Sequence, residues 1–316
     1  MTTGEDTTIP EGIYSPVPTF YKNDANYSLD IETQIKHAKM LYSNGINGLV
    51  VAGSMGEASH LTRDERSILF KSIREAIPDT NFKIIGGVPP LNIQDTVADI
   101  EAASNSRADY SIVLVPGYFG PSLTSQQGII DYFVAVADKS PLPIIIYNYP
   151  GVSNNVDIKT ETFEKLSLHP KIVGVKLTHF NLDKYTLLTG NTKLNKINNF
   201  RSFTGLGQVL VPSLSIGAFG AIDGLSGIFP KCMLRIFSLY KDKQYEKAAE
   251  LQYLVTKVDQ MIMDLNLVGV KHALNAVYGF GEVLTGRPPL NVKIDIDVWK
   301  KHESAFNDLL NVERAL

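Results

Sequence analysis

Short runs rich in valine and isoleucine recur along this chain, and each is followed by a stretch whose apolar residues fall three and four apart. An apolar run without alternation suits a strand buried on both faces, and a helix between two such strands is the crossover that a parallel pair requires. Eight runs are present, at residues 13–20, 48–52, 83–88, 110–115, 143–148, 172–177, 201–204 and 218–222. The intervening helices carry their own signals: Thr62 and Glu65 form a capping box, Ile68, Leu69, Ile73, Ala76 and Ile77 stripe one face, and Pro78 stops it. Eight strand–helix units fit a (β/α)8 TIM barrel, which typically needs about 250 residues. A doubly wound open sheet is the competing arrangement.

From about Lys231 the strand-like runs cease and amphipathic helices dominate. Ala248, Leu251, Leu254, Val255, Val258, Met261, Ile262 and Leu265 recur at helical spacing, a stripe suited to packing against the barrel or a second subunit. The expected organisation is a disordered tail over residues 1–11, the barrel over 12–235 and a C-terminal helical region over 236–316. With 44% hydrophobic residues and a net charge of -3, the chain reads as a soluble globular protein without the basic excess that nucleic-acid binding needs. No apolar stretch approaches the 18 or so residues of a membrane span. A single cysteine, Cys232, excludes an internal disulfide framework and fits a reducing compartment. Glu5 and Asp6 among threonines suit neither a signal sequence nor a transit peptide, so the expected location is the cytoplasm.

Lys176 stands in the otherwise apolar run Ile172-Val173-Gly174-Val175-Lys176-Leu177. Most lysines reach solvent; one kept dry loses its proton more readily than the usual pKa of about 10.4 allows, and a free amine attacks carbonyls to form Schiff bases. Barrel sites lie at the C-terminal ends of the strands, which is where Lys176 falls. Strand alternation points Ile172, Gly174 and Lys176 inward and Val173, Val175 and Leu177 toward the helices. The same rule turns Ile145 and Tyr147 inward, bringing a phenol beside the amine. After the second strand, Gly53-Ser54-Met55-Gly56-Glu57 offers backbone N–H groups and a hydroxyl to a small carboxylate, though Glu57 has the wrong sign for a phosphate cradle. Gly205 and Gly207 follow the seventh strand, where phosphate-binding barrels often keep their site. The six histidines show no spacing typical of zinc, so neither metal nor cofactor is expected.

The order of these pieces resembles the dihydrodipicolinate synthase and N-acetylneuraminate lyase family of pyruvate aldolases. Gly53-Ser54-Met55-Gly56-Glu57, Pro116-Gly117-Tyr118, Tyr147-Asn148-Tyr149-Pro150, Gly174-Val175-Lys176 and Gly217-Ala218-Phe219-Gly220-Ala221-Ile222 carry the likeness, from about Gly12 to the C-terminus. The resemblance implies that Lys176 forms the Schiff base with pyruvate or a 2-keto acid and that Tyr147 shuttles a proton at the bond being cleaved. It implies that Ser54 links Tyr147 to the substrate carboxylate and to Tyr118, supplied by a neighbouring subunit of a tetramer built as a pair of dimers. The Met55 backbone would help hold the carboxylate, with Gly205 and the Ile222 carbonyl lining the pyruvate pocket.

Two departures separate the chain from dihydrodipicolinate synthases themselves: Val152 stands where an arginine clamps the aldehyde's carboxylate, and Met55 replaces a threonine. An aliphatic side chain makes no bidentate contact. The branch most similar cleaves 2-keto-3-deoxy sugar acids to pyruvate and a small hydroxyaldehyde, with 4-hydroxy-2-oxoglutarate aldolase or a synthase-like pyruvate lyase as alternatives. A non-catalytic phosphate-binding barrel using Gly205 to Gly207 is the remaining reading.

Overall fold

In the computed structural model, which describes residues 7–316, the eight strands close into a parallel barrel in sequence order, with β8 returning to β1. The strands are β1 (Gly12–Pro16), β2 (Gly48–Val51), β3 (Lys83–Val88), β4 (Tyr110–Leu114), β5 (Ile144–Asn148), β6 (Ile172–Leu177), β7 (Arg201–Thr204) and β8 (Gly220–Ile222). The barrel helices are α1 (Ile31–Ser43), α2 (Arg63–Ala76), α3 (Ile93–Asn105), α4 (Gln126–Lys139), α5 (Thr160–Leu166), α6 (Leu182–Thr189), α7 (Leu210–Ser215) and α8 (Pro230–Lys241). The capping box of α2 forms as expected, Thr62 accepting from the Glu65 N–H while the Glu65 carboxylate accepts from the Thr62 N–H. The first strand ends at Pro16 instead of running to residue 20, because Pro18 has no N–H to continue a ladder.

Two apolar layers share the strands. Tyr14, Val50, Ile85, Ile112, Ile145, Tyr147, Phe203 and Ile222 fill the interior, whereas Ile144, Ile146, Val175 and Leu177 pack with the helices. Alternation holds along β5 but not at the start of β6. There Ile144 pairs with Ile172 and Ile145 with Gly174, so Val173 is an extra residue that turns into the barrel while Ile172 turns out. This bulge resets the inside–outside order expected for those two residues and leaves Lys176 opposite Tyr147. Gly174 serves the strand contact itself, since a Cβ there would lie 2.4 Å from the Arg201 carbonyl oxygen.

The N-terminal mouth is closed by the segment before β1. Residues 1–6 of the expected disordered tail lie outside the described residues, but Ile9 is fully buried in the interior cluster. Tyr14 donates to the Pro10 carbonyl at 2.8 Å, Tyr110 to the Thr8 carbonyl at 3.1 Å and Arg201 to the Ile9 carbonyl at 2.7 Å. Residues 8–10 are therefore part of the barrel: its floor needs an apolar plug, and Ile9 supplies one.

At the other end of the chain, α8 runs across the boundary expected at residues 235 and 236. Beyond it come α9 (Tyr245–Tyr278) and α10 (Ile296–Ala315). Asn266 leaves helical geometry (φ 51°, ψ -143°) and divides α9 in two. The apolar stripe packs as its spacing implies: Ala248 is buried, and Leu251, Val255, Val258 and Met261 join the main core. Replacing Ile9 with Ala should cost about 2–5 kcal/mol of stability by opening a cavity in the barrel floor. Urea unfolding checks this, and an unchanged midpoint contradicts the plug.

Candidate active site

Lys176, Tyr147 and Ser54 meet at the C-terminal mouth. Lys176 and Tyr147 are register partners on β6 and β5, and the amine lies 4.4 Å from the centre of the Tyr147 ring. The Tyr147 hydroxyl stands 3.2 Å from Ser54 Oγ. All three line a cavity of about 280 Å³, walled elsewhere by Pro89, Pro90, Leu114, Val152 and Leu290. Only 4% of Lys176 is exposed, and burial pushes its ammonium down to about 7 against the opposing pull of Asp223. Burial raises the Tyr147 phenol, with the Ser54 hydrogen bond opposing, so it stays protonated at neutral pH.

The Ser54 turn is held under strain. Ala52 (φ 56°) and Glu57 (φ 60°) bracket it in the left-handed region, a conformation costing a non-glycine residue on the order of 1–3 kcal/mol. Gly56 N–H donates to Gly53 O and Glu57 N–H to Ser54 O. The N–H groups of Ser54 and Met55 have no hydrogen-bond partner among the described residues. Two unspent backbone donors beside a hydroxyl make a receptor for a small carboxylate.

Gly205 and Ile222 complete the mouth. A Cβ on Gly205 would meet Thr178 Oγ1 at 1.9 Å and Lys176 Cε at 3.0 Å, so only glycine lets the lysine stem pass. Ile222 closes the interior layer, with Asp223 directly after it. Met55, Gly205 and Ile222 lie behind the cavity wall and not on it, and Tyr118 is farther out: 91% exposed, it packs edge-on against Phe119, 5.1 Å between centroids.

Two buried carboxylates were not singled out from sequence. Asp223 Oδ1 accepts the Ser226 N–H at 2.9 Å while its Oδ2 has no partner. Asp259, from α9, accepts the Gln208 N–H at 2.9 Å. Both crowd Gly207, where a Cβ would lie 3.0 Å from Asp223 Oδ1 and 3.4 Å from Asp259 Oδ2. Burial raises Asp223 to about 6; burial and then the charge of Asp223 raise Asp259 to about 7. A charged residue directly after the eighth strand was a readable signal for Asp223, whereas Asp259 lay hidden inside an apolar stripe. Among the described residues no group of three or more His, Cys, Asp or Glu side chains could hold a metal ion.

Labelling of Lys176 by an amine-reactive anhydride, read by peptide mass spectrometry, should rise with pH through a midpoint near 7. Asp223→Asn should move that midpoint lower, because it removes the negative charge that favours the ammonium. A midpoint near the ordinary 10.5 in the parent protein contradicts the desolvated placement.

Residues 10–306 match the model of the dihydrodipicolinate synthetase family. An Emericella nidulans protein named "Probable 4-hydroxy-2-oxoglutarate aldolase, mitochondrial" is 35% identical over 274 residues, covering 86% of either chain. The L-threo-3-deoxy-hexylosonate aldolase of Aspergillus niger is 29% identical over 98% of either chain, and that of Hypocrea jecorina 32% identical over 86% of this chain and 88% of its own. Among solved structures, a dihydrodipicolinate synthase family protein from Coccidioides immitis superposes with a TM-score of 0.86 at 27% identity, over 98% of this chain and 99% of that one.

Proposed function

Because the chain belongs to the dihydrodipicolinate synthetase family, we propose that it is a class I aldolase that reversibly cleaves a 2-keto-3-deoxy sugar acid to pyruvate and a small hydroxyaldehyde. The observation that carries this reading is a buried Lys176 amine, its pKa lowered to about 7, facing Tyr147 in a cavity with no other cation among its lining residues.

Lys176 attacks the C2 ketone. The Tyr147 phenol, kept protonated by burial, gives its proton to the departing hydroxyl as the carbinolamine loses water and becomes an iminium. The phenolate then takes the proton of the C4 hydroxyl. As the C3–C4 bond breaks, its electron pair moves into the iminium, releasing the aldehyde and leaving an enamine. Protonation at C3 and hydrolysis return pyruvate and the free amine. Throughout, the Ser54 hydroxyl and the free N–H groups of Ser54 and Met55 hold the substrate carboxylate.

The aldehyde side favours an uncharged partner. Arg63 and Arg66 are engaged by Asp99 and Arg287 by Glu65, and Val152 stands on the cavity wall. A carboxylate there meets no cation and faces the buried Glu57. Ser59, also on the cavity wall, offers a hydroxyl contact instead. This separates the two activities named among the relatives: a 3-deoxy-hexylosonate yields a hydroxyaldehyde, whereas 4-hydroxy-2-oxoglutarate yields glyoxylate with its charged end. A phosphate site at Gly205 to Gly207 is disfavoured by Asp223 and Asp259 against that turn.

The same proposal includes a homotetramer, supported by the exposed Tyr118, Phe119 and Leu123, through which Tyr118 would reach a partner's site. It also includes a cytosolic location, supported by the buried unpaired Cys232. No described helix is long and apolar enough to cross a membrane.

Borohydride reduction with pyruvate should leave an adduct on Lys176, and Lys176→Ala should abolish turnover with the fold intact; an unmodified Lys176 overturns the mechanism. Three- and four-carbon hydroxyaldehydes should outperform glyoxylate and aspartate semialdehyde in the condensation direction. Val152→Arg should raise kcat/KM for the charged aldehydes roughly tenfold, since a charge-assisted hydrogen bond contributes about 1.5–3 kcal/mol. The reverse preference in the parent enzyme refutes the sugar-acid reading.

A further inference from the structure

The carboxylate of Glu57, the last residue of the Ser54 turn, is wholly buried; its hydrogen-bond partners come from more than two hundred residues away, while the neighbouring His60 Nδ1 stays 3.9 Å off. Lys271 of α9, itself wholly buried, sits 3.1 Å from Glu57 Oε1 and donates also to the Thr285 carbonyl at 2.8 Å. The Arg287 backbone N–H donates to Glu57 Oε2 at 2.8 Å. A Cβ on Gly286 would lie 2.8 Å from that oxygen, so the connector before α10 is shaped to the carboxylate. The Arg287 side chain fixes the connector from its other side, donating to Glu65 and to the carbonyls of His60 and Tyr27. Three residues on, Leu290 forms part of the cavity wall that faces Lys176 and Tyr147.

We propose that Lys271 is a positioning residue for the reaction. With the Arg287 backbone it holds Glu57 in its left-handed conformation, and Glu57 in turn fixes the Ser54–Met55 turn whose hydroxyl and free N–H groups receive the substrate carboxylate. The C-terminal helical region is on this account a structural part of the active site. Nothing else in the turn replaces the tether. The Thr19 hydroxyl donates to the Gly56 carbonyl at 2.7 Å, but that bond anchors the backbone without opposing the strain at Glu57. A buried carboxylate that loses its cation is left uncompensated, and the cavity that Glu57 already lines is open to it.

This inference rests on the Schiff-base reading, and the experiment separates their failures. Borohydride trapping is measured against pyruvate concentration for the parent enzyme, for Lys271→Met and for the double variant Glu57→Gln with Lys271→Met, which strands no buried charge. In Lys271→Met the half-saturating pyruvate concentration should rise at least tenfold, while the labelling midpoint of Lys176 stays where it was. If Lys271→Met does not fold, the double variant decides, with an expected rise of at least fivefold. A purely structural role lowers the melting temperature without moving half-saturation. Half-saturation within twofold of the parent in whichever variant folds therefore overturns the proposal alone; no adduct on the parent Lys176 overturns the Schiff-base reading and this inference together.

Discussion

A closed ring of strands keeps water from one amine, and the rest of the site is arranged around that fact. Desolvation is the largest influence on Lys176, and a single buried carboxylate, Asp223, works against it. The balance leaves the amine near the middle of its titration at neutral pH, where it is both nucleophilic and able to carry the positive charge of an iminium. A drier pocket without Asp223 would give a freer nucleophile but a poorer home for that cation. One with a closely bonded carboxylate would hold the ammonium too well to react.

The acids of the mouth are distributed so that negative charge lies behind the lysine and beneath the aldehyde side, while the carboxylate receptor is built from neutral donors. Ser54 and the backbone N–H groups beside it attract an anion without the long reach of a guanidinium. Asp223 and Asp259, both packed against Gly207, disfavour an anion at the turn after β7. On the proposed reading the substrate would be oriented by where charge is tolerated: its carboxylate end at the Ser54 turn, its ketone at Lys176, and its hydroxylated tail beside Val152 and Ser59.

Much of this was legible in the sequence, because strand burial and side-chain alternation are local properties. The eight apolar runs marked all eight strands, and alternation along β5 put Tyr147 beside the lysine. What failed was local irregularity and long-range closure. The bulge at Val173 depends on how β5 and β6 pair, which no property of either strand alone records. Ile9 reads as a lone apolar residue in a polar tail until the floor of the barrel needs it. Asp259 sits where helical spacing gives a core position, and only the approach of α9 to Gly207 shows why a carboxylate belongs there. Tyr118 lies outside the cavity of its own barrel, because the loop after β4 turns it to the surface.

The C-terminal helices answer a problem that the barrel creates for itself. A turn able to receive a carboxylate must leave backbone donors unspent, and a turn with unspent donors and two left-handed non-glycine residues is not stable on local terms. The missing stabilisation has to arrive from elsewhere. Lys271 and the 285–287 connector supply it by burying Glu57 in an ion pair reinforced by backbone contacts, a construction that contributes geometry more than net stability. Since the first half of α9 carries Asp259 to the turn after β7 and the second half carries Lys271, the two halves brace the Gly207 turn and the Ser54 turn respectively. The apolar stripe before Asn266 thus sets the register of Asp259, and Val270, Ala273 and Leu274, buried after that break, set the register of Lys271.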